Sequence, residues 1–131
     1  MKGFVLISAI FLLVVIAALG LFALTVSNTQ QQNSVMDALG SRAYQAAKAG
    51  IEWGSYQITK GPTCAASTSL TMPAGTQLSA FAVTVECTAS AQYTEGVSRF
   101  YVYQLKSIAT TGVVGSASYF ERQLQVAIKN P

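Results

Sequence analysis

A chain of 131 residues has room for one small domain, and its eight basic and five acidic side chains leave a formal net charge of +3. The complete lack of histidine removes imidazole-based catalysis, and two cysteines alone cannot complete a zinc site. The basic residues form no run, so the positive balance is not the footprint of a nucleic-acid binder.

The first element is an apolar run from Phe4 to Val26, interrupted by hydroxyls only at Ser8 and Thr25 and by one helix-weakening residue, Gly20. No charge falls between Lys2 and Asp37. About 23 residues at 1.5 Å rise make a helix of roughly 34 Å, enough to cross a bilayer. Almost nothing stands in front of it. A secretory signal has a shorter apolar core followed by a small-residue cleavage site, whereas Ser27–Ser34 (SNTQQQNS) is a poor site of that kind, so the helix is expected to be retained. Lys2 against a neutral far flank places the N-terminus in the cytoplasm and exports the rest.

Beyond the apolar run no proline occurs before Pro62, so the helix is expected to continue, either as one element or restarting at a capping box over Ser34–Asp37. From Ala38 to Ile58 the pattern is helical. Tyr44, Ala47, Ile51 and Ile58 fall near one face, while Ala43, Ala47, Gly50 and Gly54 make a second, small-residue stripe where another backbone can approach. Lys60-Gly61-Pro62 ends the helix, with glycine past the end and proline beyond it. Glu52 reads as a solvated helix residue within reach of Lys48, and Trp53 as a packing anchor.

Cys64 and Cys87 flank a Thr-, Ser-, Pro- and Gly-rich stretch and are expected to pair in an oxidising compartment. Closing that loop stabilises by roughly 3 kcal/mol on the chain-entropy argument. Three strands follow. Phe81, Val83, Val85 and Cys87 alternate with Ala82, Thr84 and Glu86, giving one buried face. Arg99–Thr110 is rich in aromatic and β-branched residues, with its inward face left open. Leu124, Val126 and Ile128 alternate with polar or small residues near the end. Glu95-Gly96 and Thr111–Ser116 supply the turns between them. One long helix, transmembrane in its first half and amphipathic in its second, with three or more antiparallel strands makes an α+β chain.

The Lys2-Gly3-Phe4 junction at the head of this apolar helix resembles the processing site of type IV prepilins. Together with Ala43–Gly54 (AYQAAKAGIEWG), the start GFVLISAIFLL is similar to the minor pilins of the mannose-sensitive haemagglutinin (MSHA) pilus and, more distantly, to PilX-type minor pilins. The resemblance implies residues 1–3 as leader, cleavage between Gly3 and Phe4, and N-methylation of Phe4. It implies a transmembrane and assembly helix over 4–27, its periplasmic half over 28–60, and a β-rich head with one disulfide over 61–131. In that family the fifth mature position usually carries a glutamate. Here it is Ser8, a departure that points from bulk subunit to minor subunit, at the start or tip of a filament. Assembly contacts are expected at Ser8, Gly50 and Gly54, with other major and minor pilins, the prepilin peptidase and an inner-membrane assembly platform as partners. The protein is then expected in the inner membrane with a periplasmic head, and afterwards in a surface filament that serves adhesion.

No catalytic residue, cofactor site or metal site is expected. The chain has no Gly-x-Ser-x-Gly elbow and no phosphate loop, and its acids are dispersed. Three other readings share parts of the pattern. A type II secretion pseudopilin has the same N-terminal features. A tip adhesin or DNA-uptake pilin would use exposed aromatics such as Tyr93, Tyr101 or Tyr103, although no basic–aromatic cluster favours DNA. A signal-anchored periplasmic protein is the plainest.

Overall fold

With no proline in its first 61 residues, the chain has nothing to stop a helix once begun, and α1 runs unbroken over Lys2–Lys60. The computed structural model describes residues 2–130; Met1, part of the expected leader, and Pro131 lie outside the described residues. Ser34–Asp37 therefore does not restart a helix. At the far end Gly61 takes no left-handed φ, and its N–H still donates to the Gln57 carbonyl at 3.2 Å. Pro62, which lacks an N–H and disfavours helical geometry in the residue before it, makes the stop.

The chain divides into two units, residues 1–38 and 39–131. In the first, the large apolar side chains from Phe4 to Val26 are all exposed, from 37% at Val15 to 77% at Phe4. Two of its hydroxyls are folded back on the helix. Thr25 donates to the Phe22 carbonyl at 2.7 Å and Thr29 to the Thr25 carbonyl at 3.0 Å, which suits an apolar medium. This helix is long and apolar enough to span a membrane.

The second unit packs the last turns of α1, from Leu39, on an antiparallel sheet, so the head's core draws in residues 39–60 as well as 61–131. The strands are β1 Thr68–Thr71, β2 Ala82–Ala89, β3 Tyr93–Glu95, β4 Ser98–Thr111 and β5 Phe120–Asn130. The long β4 is the spine, pairing β2 through Ala82↔Thr110 to Ala89↔Tyr103 and β5 through Tyr101↔Asn130 to Thr111↔Phe120. Short β3 carries on along β4 from Tyr93↔Phe100, offset by one residue from the β2 register, as a bulge requires. β1 pairs only β2. The fold is the α+β arrangement expected, with a long helix and a small antiparallel sheet.

Phe81, Val83 and Val85 point into the core as their alternation foretells, and Cys87 is half-buried. The face left open on β4 resolves as Tyr103, Leu105, Ser107 and Ala109, all buried. On β5 the pattern is only partly kept: Leu124 and Ile128 are half-buried, but Val126 remains 36% exposed, because an edge strand has less packed over it.

The helix face is corrected at Tyr44, while Ala47 and Ile58 are buried and Ile51 is half-buried against the core. Tyr44 stays 45% exposed, and the row meeting the sheet is Ala43, Ala46, Ala47, Gly50, Gly54 and Ile58. Small side chains win here because close approach to the sheet's ridge of Val83, Val85 and Leu105 buries more surface than a bulky residue held at a distance. Two turns also gain detail. Gly96, at φ 62°, closes β3 onto β4, so the Glu95-Gly96 signal serves a short hairpin rather than joining the two long strands directly. The connection from β4 to β5 covers residues 112–119, longer than the expected Thr111–Ser116, with Gly112 and Gly115 at φ 77° and 89°.

Candidate functional site

Among the described residues no cleft gathers convergent reactive groups, so the functional candidates are surfaces and a junction. The Gly3–Phe4 bond lies in the first turn of α1. The leading N–H groups of a helix have no intrahelical partner, so this turn unwinds at least cost when a protease needs an extended chain. A side chain at Gly3 would meet nothing within 4 Å, and Phe4 is 77% exposed. Ser8 is half-buried along the same helix. Its hydroxyl is neutral, which spares the segment the cost of a charge in hydrocarbon.

Cys64, just past α1, and Cys87, on β2, form a disulfide across a sequence separation of 23, with Cα atoms 5.3 Å apart. Both pack against the core. The bond ties the stretch leaving the helix to the sheet.

Gly50 and Gly54, singled out as assembly contacts, are used inside the head. A Cβ at Gly50 would overlap Ser107 Oγ and come within 2.8 Å of Val83 Cγ1; at Gly54 it would lie 3.1 Å from both Leu105 methyls. Neither is open to another chain. Their small size serves the helix–sheet joint. Sequence reasoning missed Ser107, which sits opposite Gly50 fully buried, with its hydroxyl lacking a hydrogen-bond partner. A serine within a strand gives no signal of this; only the Gly50 notch facing it explains the choice of so small a residue.

Of the tyrosines named for ligand contact, Tyr103 is in the core at 5% exposure, while Tyr101 and Tyr93 are 39% and 51% exposed. Tyr93 stacks on Phe100 with ring centroids 5.8 Å apart, at one wall of an open groove of about 440 Å³ lined also by Thr88, Ser90, Val102 and Gln104. Lys129 Nζ sits 3.9 Å from the Phe100 ring centre and 3.9 Å from the Glu95 carboxylate. Two further ion pairs are local. Lys48 faces Glu52 at 3.7 Å one helical turn on, as expected, and Lys106 pairs with Glu86 across β2 and β4. The Tyr119 hydroxyl donates to Glu121, and that bond raises the phenol above the usual tyrosine value. Among the described residues no group of acids and cysteines could hold a metal ion. No protein family, curated protein or solved structure matches the chain.

Proposed function

We propose that this chain is a minor subunit of a type IV pilin-like filament, of the MshP type in MSHA pili, and acts by assembling rather than by catalysis. The observation that carries the reading is the uncovered apolar stretch Phe4–Val26, which stands directly behind a Gly3-Phe4 junction and runs without a break into the helix of an α+β head. A prepilin peptidase would cut after Gly3, and Phe4 would become the methylated N-terminus. Before assembly the helix would hold the protein in the inner membrane with its head in the periplasm. It would then leave lipid to bundle with the helices of major and minor pilins on the assembly platform, exchanging one apolar contact for another.

Ser8 supports a place at the start or tip. Without a carboxylate at that position the subunit offers no charge for a neighbour's terminal amine, so it suits a site where one such contact is missing. The head carries the surfaces that distinguish this subunit, and its disulfide fits an oxidising compartment. Immunogold labelling of filaments sheared from cells tests the reading. Label confined to filament ends, and lost in a strain without the peptidase, is expected. Regular label along the shaft would remove the tip assignment, and no label on filaments would remove the filament.

A further inference from the structure

β5 is an outermost strand whose full length, Phe120–Asn130, pairs with β4 and with nothing else among the described residues. Among the described residues no backbone bond from a loop or turn reaches its outer side. It has no proline or glycine, and its register with β4 is constant from end to end, so no bulge twists it away. Between Arg122 and Lys129 it carries no charge. Edges that must stay single are normally blunted by one of these devices. Over Gln123–Ile128 this one is not, and α1 meets β5 at its two ends, Phe120 by Gly40 and Asn130 by Ile58, without pairing its outer edge.

Charge identifies the occupant. Within the head Lys129 lies near Glu95 and Glu121 accepts from Tyr119, but Lys129 and Glu95 stay largely exposed. An antiparallel strand that fits places a cation opposite Glu121 and an anion opposite Lys129. β5 itself satisfies both when two copies meet about a two-fold axis at Gln125. Glu121 then faces the second copy's Lys129 at both ends, Gln125 faces its own counterpart, and Leu124 lies beside the exposed Val126. Shifting the centre to Leu124 or Val126 sets Glu121 or Lys129 opposite uncharged residues. Faces also agree, since directly opposed residues share one side of an extended sheet. We propose that the β5 edge is a self-complementary interface, at which a second copy of this chain pairs antiparallel to form a sheet continuous across two heads.

The geometry also fixes how the second copy must arrive. Within the head β5 runs the same way as α1: Phe120 lies by Gly40, and Asn130 Nδ2 donates to the Ile58 carbonyl at 3.2 Å. A two-fold axis normal to the sheet reverses both, so the helical parts of the two heads, residues 39–60, run antiparallel to each other. The interface does not depend on the filament reading.

The test uses the full chain in detergent, carrying Gln125→Cys and a short thiol crosslinker; the native cysteines are bonded and no other is free. A link between two copies at position 125 is expected in this charge background. Lys129→Glu alone, or Glu121→Lys alone, should each lower its yield at least tenfold, because like charges then face each other at both ends. Mixing those two variants should restore the link between them. Thermal unfolding of each variant, unchanged from the parent, separates lost pairing from a lost fold. Absence of the link in the parent, or no recovery on mixing, overturns the proposal.

Discussion

Residues 4–26 and residues 39–60 belong to one helix, yet they treat apolar surface in opposite ways. The first presents Phe, Leu, Ile and Val outward on every side, with Leu13 69% and Phe22 68% exposed. The second hides a row of alanines and glycines against a sheet and leaves Tyr44 and Tyr56 outside. Helix propensity does not distinguish them. What differs is the medium each requires: the head carries its own apolar phase, and the N-terminal segment must find one elsewhere. An exposed apolar surface of this extent on one helix calls for lipid or for other helices.

The comparison can be broken most severely in the first segment. Val14→Arg puts a charge near its middle at a cost of about 3 kcal/mol for insertion. Alkaline extraction of membranes should find the variant largely released, while the head's thermal midpoint stays put. The head fails by other means. Cys64→Ser, which opens the disulfide, should lower its stability by roughly 3 kcal/mol in denaturant unfolding, with no effect on membrane retention. Gly50→Ala forces Ser107 and Val83 aside and should cost about 1–3 kcal/mol by the same measurement. Ser107→Ala sharpens the contrast in the other direction. Removing a buried hydroxyl that has no partner should raise stability by about 1 kcal/mol, and a loss of that size would show that the hydroxyl is satisfied after all. Lys106→Ala breaks an ion pair with Glu86 that is 34% and 40% exposed on its two sides, and should change stability by less than about 1 kcal/mol.

The elements most legible beforehand were those whose pattern reports a single medium. The run Phe4–Val26 is apolar on every side, and the alternation at Phe81, Val83 and Val85 is clean because one face of β2 is core and the other is not. The stop near Lys60 was legible too, although proline rather than glycine makes it. The contact face of the head's helix was misread at Tyr44, which outweighs alanine and glycine in hydrophobicity, whereas the sheet selects for closeness; Ala47, Ile51 and Ile58 do face the core. β4 carries large apolar residues on both faces, Phe100, Val102 and Ile108 opposite Tyr103 and Leu105, so alternation could not choose between them. β1 and β3, at four and three residues, are too short for any period to register. The disulfide was visible as a pair of cysteines flanking one loop. Gly50 and Gly54 were noticed for the right property and given the wrong partner, because smallness alone does not say whose backbone comes close.

The most direct test of the central claim is the intact mass of the membrane-extracted protein, expressed with and without a prepilin peptidase. Loss of Met1–Gly3 together with gain of one methyl group, only when the peptidase is present, is the result expected of a pilin-like subunit. A chain that keeps Met1–Gly3 in both cases would contradict it and leave a signal-anchored protein with an α+β head.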